Sequence, residues 1–472
     1  MLNKLAKLIN YYDGTAYLVG GAVRDELLEL ENKDLDVEVF GIPEMPLSVI
    51  IEIFARKNNL SFSQAGKSYR VYKLRDSEGN EIDVSLPRKD TKVSSGHKGF
   101  ETTADPFMSV EEAASRRDFT INAIYKNILT GEIVNPTFLG VSDLNNGILR
   151  MVDKRAFADD PLRVLRGLQF AARFNMMLDY NTHAEMSKVN LTELPAERIF
   201  TELEKALLKS DTPSVFFQRG MTMQNFADLF PELDALITVS QDPVWHPEGN
   251  VFTHTMLAID KMARIVKEKN LTKAEKLTVM LAILCHDLGK ASTTTFEEGR
   301  VRAHGHSEAG IQPTESLLNR LNVHTVDGFP VRETVLKLVE YHLFPAQLSA
   351  KHEGVNVPRA LRRMAQKVRL DLLAMVSLAD MLGRATSEIT KQEDRAKIAW
   401  FLEQAENCHV TNKSIEPILR GRHLIELGMK PGIGMGEILN RVFEMQLDGQ
   451  ITTLEQAIAT AKSCWAFGTQ LA

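Results

Sequence analysis

The hydrophobic period changes once along this chain, and that change constrains the fold more than any single residue does. Up to about residue 140 the stretches "AYLVGG", "KDLDVEVFG", "YRVYKLRD" and "NEIDVSL" read as strands, with a helix in "PLSVIIEIFARKNN". Beyond "VNPTFLGVSDLNNG" helical spacing takes over, from "DDPLRVLRGLQFAARF" through "PAERIFTELEKALLKS" to the end. The expected class is α+β, an α/β head followed by an all-α remainder. At 472 residues the chain exceeds what one core organises. Joints are expected in the Gly/Asn-containing loop at 140–147, in "VSQDPVWHPEGN" and near Thr386, dividing the chain into 1–140, 141–240, 241–385 and 386–472.

Composition excludes several classes. No apolar run approaches a membrane span. The N-terminus carries a helical stripe of Leu2, Leu5, Leu8 and Ile9 rather than a signal-peptide core. Cys285, Cys408 and Cys464 stand far apart, which signals neither a disulfide framework nor a thiolate zinc site and fits a cytoplasmic home. A net charge of -6 argues against a chain coated in nucleic acid, while leaving room for a local basic stripe.

The strand "KDLDVEVFG" departs from ordinary patterning. Side chains at i and i+2 share a face, so Asp34 and Asp36 lie side by side and Glu38 continues the row. Neighbouring carboxylates repel and stay ionised cheaply only around a cation, and oxygen-only ligands near a phosphate suit Mg²⁺. A solvated edge strand is the plainer reading of an isolated Asp-x-Asp. Upstream, however, "YLVGGAVRDELLEL" runs from a strand through Gly20 and Gly21 into a helix, where free N–H groups can hold a phosphate. Arg24 would add positive charge, Asp25 reads as a local structural partner, and Asp83 in "EIDVSLPR" is a candidate third acid.

Together "LVGGAVRDELLELENKDLDVEVFG" resembles the nucleotidyltransferase signature of class II CCA-adding enzymes and bacterial poly(A) polymerases. The resemblance implies a polymerase-beta-like head in which Asp34 and Asp36 bind the metal ions that activate an RNA 3′-hydroxyl and steady the leaving pyrophosphate. It also implies tRNA, CTP and ATP as partners. "SRRDFTINAIYKN" resembles the family's sugar-contacting motif at Arg117, Asp118 and Asn122; on a helix Asp118 and Asn122 would share a face, and helix capping by Asp118 is the alternative.

"ADDPLRVLRGLQFAARF" carries base-selecting chemistry. Cytosine and adenine each present an amine donor beside a ring-nitrogen acceptor, which a carboxylate and a guanidinium complement; uracil and guanine invert that pattern. Asp160 and Arg163, on one helical face, could supply it, and the stretch resembles the family's Glu-Asp-x-x-Arg template with Asp159 in place of Glu. Arg166 joins them as a candidate nucleotide contact. A capping Asp160 with Pro161 at the first helical position is compatible with that role. Between the two motifs, residues 86–118 read as a long polar loop; relatives that add only CC lack much of it, so its presence favours complete CCA addition or A addition.

In the helical half, His254 in "VFTHTMLAIDKM", the pair His286 and Asp287 in "LAILCHDLGKAS", and Asp380 in "SLADMLGR" read as metal ligation. They resemble the ligands of the HD phosphohydrolase domain fused to some bacterial CCA-adding enzymes. The resemblance implies a divalent transition metal activating water against phosphate esters, with 2′,3′-cyclic phosphodiesterase, 2′-nucleotidase and phosphatase activity. Lys290 would touch a phosphate or solvent, His306 and His342 a second metal or substrate, and His304 lies nearby. The tail from "ILRGRHLIELG" on resembles the body of CCA-adding enzymes. "PRALRRMAQKVRL" offers Arg359, Arg362, Arg363, Lys367 and Arg369 with little opposing charge in sequence, as a solvated face or a tRNA contact. The expected function is CCA addition with a second, hydrolytic site. A poly(A) polymerase or A-adder, and a hydrolase whose head only binds RNA, are the rivals. Oligomeric state and the HD metal's identity stay open.

Overall fold

The computed structural model describes residues 1–31, 34–65, 71–92 and 100–468. The chain divides into two compact units, Met1–Leu229 and Phe230–Ala472.

In the first unit the strands up to residue 134 are β1 (Thr15–Val19), β2 (Asp34–Phe40), β3 (Ser61–Ala65), β4 (Val71–Arg75), β5 (Glu81–Ser85), β6 (Arg88–Lys92), β7 (Phe100–Ala104), β8 (Tyr125–Asn127) and β9 (Ile133–Val134), and a short pair, Ile148–Leu149 with Met177–Leu178, follows. Seven form one sheet in the order β3-β4-β5-β2-β1-β8-β9. Within this sheet, among the described residues, only β2 and β5 pair in parallel, a pairing that needs a crossover, and the helix Glu44–Lys57 with β3 and β4 lies between them in the chain. That helix buries Leu47, Ile50, Ile51 and Phe54, and Val37, Val39, Tyr72, Ile82 and Val84 supply buried residues from the sheet. The burial sets the register, because a one-residue slip would turn those side chains out and the carboxylates in.

The expected long polar loop contains secondary structure instead: β6 and β7 pair antiparallel from Arg88↔Ala104 to Lys92↔Phe100. Residues 93–99 of that stretch lie outside the described residues. The unit continues through helices Leu162–Phe174 and Ala196–Lys209, which pack on each other.

The second unit is built on helices Val251–Lys267, Lys273–Cys285, Val331–Tyr341 and Leu370–Gly383. Helix Leu370–Gly383 is apolar nearly all round and correspondingly buried, packing against the other three. Its closest approach is to helix Val251–Lys267, where a Cβ on Gly383 would stand 2.8 Å from the Cα and Cβ of Ala258. His254 lies one turn before Ala258 and Asp380 one turn before Gly383, so this small-residue contact sets the distance between two candidate ligands. The long helix Glu388–Asn407 packs on Leu370–Gly383, with Arg384 donating to Asp394 at 2.5 Å. Leu419, Leu424, Val442, Ile451, Ala457 and Ala461 form a separate small core toward the C-terminus.

The second unit is not wholly helical. Strands Thr294–Glu297 and Arg300–Ala303 form a hairpin closed by Glu298 (φ 51°) and Gly299 (φ 79°), the left-handed pair that a two-residue turn requires. The basic stretch also differs from expectation, since acids meet it, two of them from distant parts of the sequence. Arg359 and Arg363 pair with Asp448, at 2.8 and 2.9 Å, and Arg369 pairs with Asp371 and Glu275. Much of its charge is therefore engaged within the unit.

Replacing Gly383 with Leu should lower the urea denaturation midpoint by an amount equivalent to about 1–3 kcal/mol, the cost of overpacking a filled contact. Tryptophan emission reports this unit, because Trp245, Trp400 and Trp465 all lie in it. An unchanged midpoint would show that the helices can separate freely.

Candidate functional site

Pairing of β2 with β5 sets Asp36 beside Asp83, and Asp34 is two residues away on the same face. Lys73 on β4 faces Asp83 across the next strand and binds its Oδ2 at 2.8 Å. Asp83 Oδ1 is buried without a hydrogen-bond partner. Asp36 keeps an exposed edge, yet crowding by protein atoms, with Asp83 and Asp34 adding to it, raises its pKa from the ordinary carboxylate value against Arg117 and Lys73. Three convergent carboxylates and an orphaned oxygen fit a hard divalent cation.

Glu38 leaves the row. It is fully buried and accepts from Arg116 at 2.5 Å and from the Tyr125 hydroxyl at 2.9 Å, with Arg117 at 3.6 Å. Its function is thus to anchor the two arginines beside the carboxylates. Gly20 adopts a left-handed φ of 65°, and a Cβ there would meet Arg117 Nη1 at 3.3 Å.

These groups open into a cleft of about 450 Å³ that contains Gly20, Gly21, Asp36, Asp160 and Phe170 in its lining. Among the described residues, six arginines and three aspartates line it, a balance suited to a polyanion. Arg24 is largely engaged inside the protein: it donates to Asp25 at 2.8 Å and Asn122 at 2.6 Å and stacks over Phe174 at 4.5 Å. Asp118 and Asn122 meet as expected, at 2.9 Å, but not on a helix. Asp118 follows the short helix Val110–Ser115, and Asn122 closes a 3₁₀ turn, Thr120–Asn122. Arg166 binds the other Asp118 oxygen at 2.7 Å. Burial pushes the Asp118 carboxyl up, but Arg166 and Asn122 outweigh it and hold it down at about 2.

Asp160 and Arg163 both line the cleft, although Asp160 precedes the helix in an extended conformation. Asp160 accepts from Leu162 N and from Arg198, each at 3.2 Å. Pro161, not Asp160, stands at the N-cap, and Asp160 holds the start of the helix from one residue further back while lining the cleft. Arg163 donates to the carbonyls of Ala156 (2.8 Å) and Arg116 (2.7 Å), which fixes its plane. Sequence reasoning missed Arg198, on helix Ala196–Lys209; "PAERIF" gives no motif for it, and only tertiary packing brings it to Asp160.

In the second unit four histidines follow one rule. His286, His306 and His342 each direct Nδ1 at a backbone carbonyl, of Ile283, Ala303 and Val339, at 2.7–2.8 Å. His254 directs Nδ1 at Glu248, at 2.8 Å. Every Nε2 is thereby left toward the interior. His254 Nε2 lies 3.0 Å from Asp380 and 3.4 Å from His286 Nε2, and His286 Nε2 lies 3.2 Å from Asp287. His306 Nε2 is 3.4 Å from Asp287, and His342 Nε2 is buried without a hydrogen-bond partner. Asp287 belongs to two ligand groups, one with His254 and His286 and one with His306 and His342. Imidazole and carboxylate donors in this arrangement fit a divalent transition metal. His304 is exposed and lies outside the cluster.

Burial opposes protonation of His286, yet Asp287 and Asp380 outweigh it and push its pKa up to about 10. Burial and the neighbouring His286 push His342 down to about 4. The acids call for positive charge between them, which a bound cation would supply. His246 and Glu248 were missed in the sequence. Glu248 accepts from both His246 and His254, and its carboxyl, which burial alone would raise, is held far below the ordinary range. Their signal was the acid-and-histidine content of "WHPEGN", which reads first as a joint.

A phosphate-directed carboxylate head and a His/Asp cluster in one chain define a two-centre protein built to handle phosphoryl groups. Residues 16–150 match the family model of the poly A polymerase head domain and residues 251–385 that of the HD domain. The multifunctional CCA protein of Mannheimia succiniciproducens is 37% identical over 391 residues, covering 79% of this chain and 85% of that protein. That of Pasteurella multocida is 38% identical over 401 residues, covering 82% and 88%. The chain belongs to the multifunctional CCA protein family. Its fold resembles that of a CCA-adding enzyme solved in complex with ATP, with a TM-score of 0.62 at 19% identity over 97% of this chain and 91% of that one. No helix among the described residues is long and apolar enough to cross a membrane.

The Asp118–Arg166 pair yields a signed pH dependence. Because the folded pKa lies below the ordinary value of about 3.9, its contribution, about 2 kcal/mol, is present above pH 4 and lost as pH falls toward 2. Denaturation followed by circular dichroism should find Asp118→Asn less stable than the parent at pH 7, with the gap closing below pH 4. A gap independent of pH would remove the ion pair as its cause.

Proposed function

We propose that this chain completes tRNA 3′ ends with C, C and A, from CTP and ATP and without a nucleic-acid template, and that its HD domain hydrolyses phosphate esters, including 2′,3′-cyclic phosphates and 2′-nucleotides. The observation that carries the first activity is the in-register placement of Asp36 beside Asp83 at the arginine-lined cleft. Asp34, Asp36 and Asp83 would hold Mg²⁺, which when bound lowers the pKa of the RNA 3′-hydroxyl and neutralises charge on the triphosphate.

The chain's own residues do the rest. Gly20 and Gly21 allow the triphosphate close to the backbone, and Arg117, fixed by Glu38, faces its charge. Asp118 and Asn122 offer acceptor and donor groups to ribose hydroxyls, with Arg166 and Arg24 orienting them. Asp160 accepts the exocyclic amine shared by cytosine and adenine, and Arg163 donates to the adjacent ring nitrogen. Arg198 and the carbonyls of Ala156 and Arg116 hold that pair in place. A cytoplasmic site of action fits these substrates.

In the HD domain His254, His286, Asp287 and Asp380 would hold a divalent transition metal, which when bound supplies an activated water. Lys290, 2.7 Å from Asp287, would meet a phosphate oxygen. Through Asp287, His306 and His342 extend the donor set toward a second ion or the substrate.

Three tRNA transcripts, ending at the discriminator base, at C and at CC, should all finish at CCA and stop when incubated with Mg²⁺, CTP and ATP and resolved at single-nucleotide resolution. Extension of only the CC-ending RNA, or unlimited A addition, would make the chain an A-adder or a poly(A) polymerase. Asp36→Ala should abolish incorporation and spare hydrolysis, while His286→Ala should do the reverse. A parent chain that incorporates no nucleotide would leave the head as an RNA-binding platform.

A further inference from the structure

Trp245 is out of place for a large aromatic: it is 58% exposed, one residue from His246 and at the mouth of the histidine cluster. The segment bearing it is held by a tight turn, with Asp242 Oδ1 accepting from Val244 N at 2.9 Å and Asp242 O from His246 N at 2.8 Å. Two cavities meet there. One, of about 220 Å³, includes Gln241, Thr294, Arg302 and Ala303 in its lining; the other, of about 470 Å³, has walls of Leu343, Ala346, Ala350 and Met381. Trp245, His246, Lys290 and His306 line both.

Gln241 supplies a second, independent observation. Its Oε1 accepts from Lys290 Nζ at 2.9 Å, and because an ammonium only donates, the amide's orientation is fixed. Its Nε2 is then directed away from Lys290, buried, with no hydrogen-bond partner. An unmatched donor in a side chain nine-tenths buried, on a cavity wall beside a phosphate-competent lysine, calls for an acceptor on a ligand.

We propose that Trp245 and Gln241 form a nucleoside subsite of the HD centre. The base of a nucleotide stacks on the Trp245 indole, and the Gln241 amide donates to an acceptor of the ribose or base while Lys290 meets the phosphate. The HD centre thereby selects nucleotides over other phosphate esters. This rests on the hydrolase reading of the HD domain and adds the residues that choose its substrate. Trp245 is a binding residue, and the step it serves needs no new reactant, since water cleaves the P–O bond as in the proposed activity.

The test has a binding arm and a kinetic arm, both on the full chain. Calorimetric titration without added metal compares 2′-AMP with glycerol 2-phosphate, a secondary phosphate ester lacking a base. The parent should bind 2′-AMP about tenfold or more tightly than the base-free ester, as expected for one stacked base. Trp245→Ala should erase most of that preference and Trp245→Phe retain it, and Gln241→Leu should weaken the nucleotide alone. In the kinetic arm, Trp245→Ala should raise KM for 2′,3′-cyclic AMP about tenfold with kcat little changed, while leaving turnover of glycerol 1,2-cyclic phosphate within twofold. Equal effects on nucleotide and base-free ester, or a preference that survives Trp245→Ala, would overturn the subsite. Base-dependent binding without any hydrolysis would uphold the subsite and overturn the hydrolase reading instead.

Discussion

Carboxylates held side by side repel, and both centres of this chain are organised by that repulsion. In the head, parallel pairing of β2 with β5 forces Asp36 against Asp83, and the fold answers with Lys73, Arg117 and the arginines of the cleft. In the HD domain, Asp287 and Asp380 are brought together inside the protein, and the fold answers with imidazoles whose Nε2 atoms face inward. The difference suits each task. Guanidiniums stay charged and leave the carboxylate oxygens to a hard cation, whereas imidazoles can give up a proton and become ligands themselves.

Those placements depend on ordinary packing rather than on the polar groups. Val37, Ile82 and Val84 fix the register that puts the acids on one face, and the approach of Gly383 to Ala258 fixes the crossing that joins His254 to Asp380. Neither set of residues has chemistry of its own. Both centres are therefore exposed to lesions in their apolar surroundings, since a shift of about 1 Å is enough to spoil a ligand set.

The sequence made visible what is local. The strand bearing Asp34 and Asp36, the glycine turn before the helix and the His286–Asp287 pair at the end of an apolar helix are all periodicity and spacing. Partners contributed from a distance were not visible: Arg198 at Asp160, Glu248 behind His254, and Asp448 against the basic stretch. Asp118 with Asn122 lies between these cases, because their spacing of four suits a helix yet is met by a 3₁₀ turn. The hairpin Thr294–Ala303 has a legible turn in "EEGR", but its four-residue strands are too short to stand out against the helical period on either side.

Asp25, Arg24, Asn122, Asp118 and Arg166 form an unbroken series in which each side chain holds the next. Removing any member leaves a buried neighbour unmatched, so single replacements along the series are harmful in themselves and strongly epistatic with one another. A lineage could reach a different nucleotide preference only through intermediates worse than either end point. The interlocking that orients the cleft is thus also an evolutionary ratchet on it.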